Sequence, residues 1–136
     1  MIEIKQKKSE TVISLCGRID TSYAAIFEEK VAPLKQGSMK NIVIDCSRLV
    51  YISSSGFRVF LGLKKAAGQE AIRVRDVSRW VKGVFDVTGF TDLFEFEYTH
   101  HAKKMVELTP SSPDNAHELL LERLKGMNFD SLKPEV

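Results

Sequence analysis

The chain has 136 residues, 43% of them hydrophobic and 28% charged, with a formal net charge of +2. That length and balance suit one globular domain with a substantial core. A charge so close to zero gives no basis for nucleic-acid binding or attraction to a membrane surface.

The opening Met1-Ile2-Glu3-Ile4-Lys5 alternates and lacks the apolar core of a secretory signal. No stretch approaches the roughly 18 apolar residues of a membrane span. Direct membrane insertion is therefore not expected, and the expected compartment is the cytoplasm. Cys16 and Cys46 are too few for a disulfide framework and lack metal-ligand spacing, so they are expected as buried free thiols.

Residues 2–6 alternate as a half-buried strand, and Thr11 to Cys16 form a second, so the pair is expected as a hairpin. Gly17 to Asp20 reads as a break. Ser22 to Lys35 carries Ala24, Phe27, Val31 and Leu34 on one helical face, with Asp20, Thr21 and Ser22 as candidate caps. Asn41 to Cys46 is a third strand whose Ile42-Val43-Ile44 run lacks alternation, as expected when both faces are covered. Phe57 to Ala67 is a helix stopped by Gly68. Ala71 to Val77 is a fourth strand, with Ile72 and Val74 facing one way and Arg73 and Arg75 the other. A helix capped by Ser78 runs to Thr88 with Gly89 as its stop, and Leu93 to Tyr98 is a fifth strand.

Strands alternating with helices imply an α/β fold with right-handed crossovers and parallel pairs, made mixed by the opening hairpin. The Thr109-Pro110-Ser111-Ser112-Pro113 segment breaks the pattern. Beyond it, Ala116, Leu120, Leu124 and Met127 form one stripe of an amphipathic C-terminal helix. The expected division is thus a domain over 1–109 and a linker and helical tail over 110–136.

The segment Asp45-Cys46-Ser47-Arg48-Leu49-Val50-Tyr51-Ile52-Ser53-Ser54-Ser55-Gly56 carries the chemistry. A strand ends in three serines where a helix begins, so Ser55 sits at a helix N-terminus with unpaired N–H groups and a positive dipole end. Serine here is ordinarily a cap; it can equally receive a phosphate. The chain has no Gly-x-Ser-x-Gly elbow and no Gly-x-x-x-x-Gly-Lys loop. His100-His101 lacks neighbouring ligands at metal spacing. Catalysis, cofactors and metals are not expected. Trp80 reads as half-buried packing. Arg58, Lys64 and Lys65 form a solvated face or an electrostatic contact with an acidic partner.

Three stretches together resemble STAS domains, the sulfate transporter and anti-sigma factor antagonist modules. They are Gly17-Arg18-Ile19-Asp20-Thr21, the Asp45 to Gly56 segment, and the Val77-Ser78…Val81…Phe85…Thr88-Gly89-Phe90…Phe94 pattern. The resemblance covers residues 1 to about 100 in matching element order. It implies a single STAS-like domain with a mixed five-stranded sheet, to which this chain adds the C-terminal helix.

It further implies a non-enzymatic anti-sigma factor antagonist, active in stress response and transcription regulation. Such a module binds an anti-sigma factor serine kinase and releases a sigma factor, until phosphorylation breaks the complex. A separate phosphatase acting on the phosphoserine reverses this. The phosphoserine position maps to Ser55, with Ser54 as second choice. The implied partner-binding residues are Asp20, Ser53, Ser54, Gly56 and Arg58.

The family commonly has aspartate where this chain has Ser53, which leaves the region one charge less negative and adds a hydroxyl. The resemblance also admits a STAS subunit docking on the cytoplasmic ATPase of a lipid or anion transporter, or a scaffold in a stress-sensing complex. The tail offers a contact for a second copy of the chain.

Overall fold

The computed structural model describes residues 1–99. Strand β1 (Ile2–Gln6) pairs antiparallel with β2 (Thr11–Ile19), and the turn between them is closed by the Lys7 N–H donating to the Glu10 carbonyl at 2.8 Å. The chain continues through α1 (Thr21–Lys35), β3 (Ile42–Ile52), α2 (Ser54–Ala67), β4 (Ile72–Arg75), α3 (Arg79–Thr88), a short 3₁₀ turn at Thr91–Leu93, and β5 (Glu95–Glu97). The sheet order is β1-β2-β3-β4-β5, parallel at every pair after the first. This is the mixed five-stranded α/β fold expected from the pattern.

Each crossover steps one strand in the same direction. Right-handed connections that all step the same way lay their helices on one face of the sheet. The main core forms there. Ile13, Leu15, Ile42, Ile44, Cys46, Ile72 and Val74 point into it from the strands, and Phe27, Phe57, Phe60 and Phe85 meet them from the helices. Phe85 contacts Phe57, Phe60, Phe94 and Phe96 edge-on at centroid distances of 5.0 to 5.7 Å, the arrangement aromatic quadrupoles prefer.

Ile42-Val43-Ile44 is buried throughout, but Val43 lies outside the main core cluster, between Val12 and Arg73 in the register. Arg73 and Arg75 share Glu97, at 3.3 and 2.7 Å, and Arg73 reaches Glu10 at 2.7 Å. The hydrogen bond from Arg75 holds the Glu97 carboxyl below its ordinary range.

Several boundaries differ from expectation. β2 runs to Ile19 and not to Cys16, because Gly17, at φ +84°, carries the strand through a register shift instead of ending it. β3 likewise runs six residues past Cys46; its two irregularities against β2 erase the alternation that would have marked it. α2 begins at Ser54 and not at Phe57, so Ser54 and Ser55 lie inside its first turn and Ser53 caps it. β5 keeps only three residues, because the 3₁₀ turn takes Thr91–Leu93.

Cys46 is buried, and burial pushes its thiol far above the ordinary range, which keeps it protonated and inert. Cys16, expected to be buried, is partly exposed. No helix among the described residues is long and apolar enough to cross a membrane. The 110–136 linker and helix, the domain boundary at 109, and His100 and His101 lie outside the described residues.

Candidate functional site

The parallel strands β2, β3 and β4 all end on the same edge of the sheet, and each hands over to a helix there. In open α/β sheets this carboxyl edge is where binding sites form. Each of α1, α2 and α3 opens on a side-chain cap. The Asp20 carboxylate accepts from the Tyr23 N–H at 2.9 Å, the Ser53 hydroxyl from the Gly56 N–H at 3.1 Å, and the Ser78 hydroxyl from the Val81 N–H at 3.2 Å. The Ser53 N–H donates to the Ile19 carbonyl at 2.8 Å, which ties the end of β2 to the start of α2. Asp20, the residue after Ile19, is thereby held beside the serines.

The three serines take different places. Ser53 is the cap and is buried at 4% exposure; Ser54 is the first helical residue and is 9% exposed. Ser55, at the second helical position, is partly exposed. Among the described residues its hydroxyl makes no hydrogen bond, and the N–H groups of Ser54 and Ser55 have no acceptor. These are the orphan donors of a helix start, and they favour negative charge by about 0.3–1 kcal/mol. The geometry is that of a hydroxyl available to be modified. No carboxylate among the described residues accepts a hydrogen bond from it. Among the described residues no three or more His, Cys, Asp or Glu side chains cluster as metal ligands.

Gly56 is packed closely from two strands. It is buried, and a Cβ there would lie 2.8 Å from Ile19 Cγ2, 2.9 Å from Ile52 Cγ1 and 3.3 Å from the Ile19 carbonyl oxygen. Glycine lets α2 settle onto the ends of β2 and β3. Ser53, Ser54 and Gly56 thus support the surface from beneath, while Asp20, Ser55 and Arg58 stand on it.

Arg58 is exposed, one helical turn after Ser55. The two line an open groove of about 430 Å³ between α1 and α2, with Thr21, Ala25 and Glu28 opposite. Lys64 does not join them. Its ammonium donates to the Gly68 and Glu70 carbonyls at 3.0 and 2.9 Å and closes the far end of α2.

Two further residues of this edge escaped the residue pattern. The Arg18 guanidinium lies 4.3 Å over the Tyr51 ring, and Tyr51 stacks on half-buried Trp80 at 5.4 Å. Both sit on the strand extensions beyond Cys16 and Cys46. The Arg18–Tyr51 register pairing is the signal that places them together, and it exists only once the bulges are known.

Comparison with known proteins agrees with this geometry. The anti-sigma-B factor antagonist of Bacillus subtilis (strain 168) is 28% identical over 99 residues, covering 69% of this chain and 87% of the relative. That of Staphylococcus aureus (strain NCTC 8325 / PS 47) is 26% identical over 83 residues, covering 60% of this chain and 77% of the relative. The solved structure of the anti-sigma factor antagonist SpoIIAA in its unphosphorylated form superposes with a TM-score of 0.63. It covers 82% of this chain and 100% of that one, and at 21% identity the likeness is one of fold. The family model described as Mlab, STAS domain, matches residues 2–95. With its sheet order, its capped helix starts and this match over most of its length, the chain belongs to the STAS domain family.

Proposed function

We propose that this protein is an anti-sigma factor antagonist, a cytoplasmic binding module and not a catalyst, switched by phosphorylation of Ser55. Its partner is an anti-sigma factor serine kinase, and a phosphatase acting on the phosphoserine resets it. The observation that carries this reading is the sorting of the three serines. Ser53 and Ser54 are buried, and Ser55 alone of the three presents a partly exposed hydroxyl over the orphan N–H groups of α2.

Magnitudes place the effect of the switch. A phosphoserine adds about −1.5 to −2 charges. The end of α2 tolerates that charge, so the fold need not change. In a desolvated interface the same charge costs several kcal/mol unless it is paired, and about 2.7 kcal/mol already weakens binding a hundredfold.

Ser53, in place of the family's usual aspartate, is compatible with this mechanism. Serine and aspartate are both good helix caps, so the Gly56 N–H keeps its acceptor while a negative charge beside the phosphate site is removed. The 110–136 tail adds a contact for a second copy or for the partner. A chain ending at Thr109 then keeps a cooperative unfolding transition in urea, and loss of that transition would assign the tail to the core.

The test is capture of the partner by the unphosphorylated chain from extract of the source cells, followed by incubation with ATP. Intact mass and peptide mapping should then place one phosphate on Ser55 and show release of the complex. Phosphate on Ser53 or Ser54 would move the site. A second reading, a STAS subunit docked on a transporter ATPase, is also open to a member of the STAS domain family. Capture of a transporter ATPase, with no phosphate on any of the three serines, would establish it instead.

A further inference from the structure

β4 ends at Arg75, opposite Asp45, while β3 continues to Ile52 beside β2. The last residues of β2 and β3 therefore run on as a two-stranded ribbon at the carboxyl edge, with β2 as the only strand paired to that part of β3 among the described residues. Such ribbons are marginal without further packing. Here the packing is the row Arg18–Tyr51–Trp80, which carries the ribbon onto α3. The second register shift leaves Val50 as an extra residue between the Gly17–Leu49 and Arg18–Tyr51 pairs, 65% exposed. An exposed valine, a tyrosine and an arginine thus lie side by side on a backbone held by stacking.

The edge also carries cationic side chains. Arg18, Arg58 and Arg79 are exposed, and none has a carboxylate within ion-pair distance among the described residues. Of the other arginines of the sheet, Arg73 and Arg75 on β4 each have one, whereas Arg48 has none among the described residues. Helix starts attract acidic residues, yet the first turns of α1, α2 and α3 contain none. Arg79 even occupies the first position of α3, where its charge opposes the dipole. Asp20 is the cap of α1, and Asp76 is buried and bonded to the N–H and hydroxyl of Thr99. The edge around Ser55 therefore presents three exposed arginines without ion pairs among the described residues, beside the capping carboxylate of Asp20.

We propose that Arg18, Val50 and Tyr51 form a second contact patch for the partner that reads Ser55. The partner's complementary surface carries carboxylates around an apolar centre. This rests on the reading of Ser55 as the switch, and it deepens that reading. Arginine and aromatic side chains on rigid backbone are the residues that dominate interface energies. Arg18 and Arg79 lie at the strand end and helix start flanking Ser55's own. The partner carboxylates they attract are the groups a phosphate on Ser55 would repel, so one charge pattern both speeds docking and sharpens release.

The probe is the purified kinase recovered by capture, with affinity measured by calorimetry at low and high salt. Arg18→Glu and Val50→Asp should each weaken binding by about tenfold or more. Val50→Asp should keep the parent's melting temperature because Val50 is exposed, while Arg18→Glu also loses its contact with Tyr51 and should melt slightly lower. High salt should weaken the parent more than Arg18→Glu. Lys65→Glu, an exposed change in the last turn of α2, should bind as the parent does. Parent-like binding by Arg18→Glu and Val50→Asp, beside weak binding by Ser55→Asp, would overturn the patch and leave the switch standing. Parent-like binding by Ser55→Asp with weak binding by the two patch variants would reject the switch and keep the patch as a docking surface.

Discussion

Helices α2 and α3 start in the same way. Each follows a parallel strand, and each is capped by a serine whose hydroxyl accepts the N–H three residues on, Ser53 from Gly56 and Ser78 from Val81. Their first turns then diverge. After Ser53 come Ser54, Ser55 and Gly56, small residues that let the helix sit against Ile19 and Ile52 and leave a hydroxyl over free N–H groups. After Ser78 come Arg79 and Trp80, bulky residues of which Trp80 stacks on Tyr51. A serine cap alone is therefore structural. The contents of the first turn, together with its seating, leave a partly exposed hydroxyl at one helix start and make the other a buttress.

The sharpest way to break this contrast is to place charge on the first turn of α2. Ser55→Asp should weaken kinase binding by about a hundredfold, about 2.7 kcal/mol, while its melting temperature stays at or slightly above the parent's, since a carboxylate suits a helix start. Equal binding by calorimetry would remove the distinction between the two helices.

Next in size is the seating of α2. Gly56→Val forces its side chain against Ile19 and Ile52 and should cost about 1–3 kcal/mol in urea unfolding. Gly62→Ala, farther along the same helix, meets only the Lys35 ammonium at 3.4 Å and should stabilise by up to about 1 kcal/mol through helix propensity. If both changes had the same sign, close approach would not be the reason for Gly56.

The caps themselves come third. Ser53→Ala and Ser78→Ala should each cost about 1 kcal/mol, with Ser53→Ala the larger, because the buried Gly56 N–H would be left without water to replace its acceptor. Ser53→Asp should keep stability close to the parent's. Urea midpoints of the three variants decide this.

The smallest effect contrasts the unpaired arginines of the carboxyl edge with the paired ones of β4. Glu97→Gln should cost about 0.2–1 kcal/mol at neutral pH, as expected for a partly exposed pair. Glu97 has its folded pKa lowered from 4.5, so its contribution is fully present above that value and is lost as pH falls through the lower, folded value. Parent and variant should therefore converge in stability on acidification. A difference that persists in acid would mean that packing, and not charge, is at work there.

Much of this fold was readable from the residues. Alternation at Ile72-Arg73-Val74-Arg75 gave the correct faces for β4, and Asp20, Ser78 and Gly89 stood where a helix must start or stop. The extensions of β2 and β3 were not readable, because Gly17 looks like an end and becomes a bend only when β3 lies beside it. Arg18 and Tyr51 stayed hidden for the same reason, being 33 positions apart in the chain and partners only across the bulged register. The close seating at Gly56 was hidden too, because it comes from two distant strands.

The sequence by itself determined the order of strands and helices and their inward faces, since periodicity and capping act over a few residues. It also placed three consecutive serines at the start of a helix. Which of their hydroxyls faces outward was decided only in three dimensions. Burial at Ser53 and Ser54 depends on how α2 is seated against Ile19 and Ile52, brought in from the ends of β2 and β3, and no local pattern encodes that contact. The same holds for charge. Arg73 and Arg18 look alike in the chain, and only the folded sheet gives one two carboxylates and leaves the other stacked on a tyrosine, facing solvent.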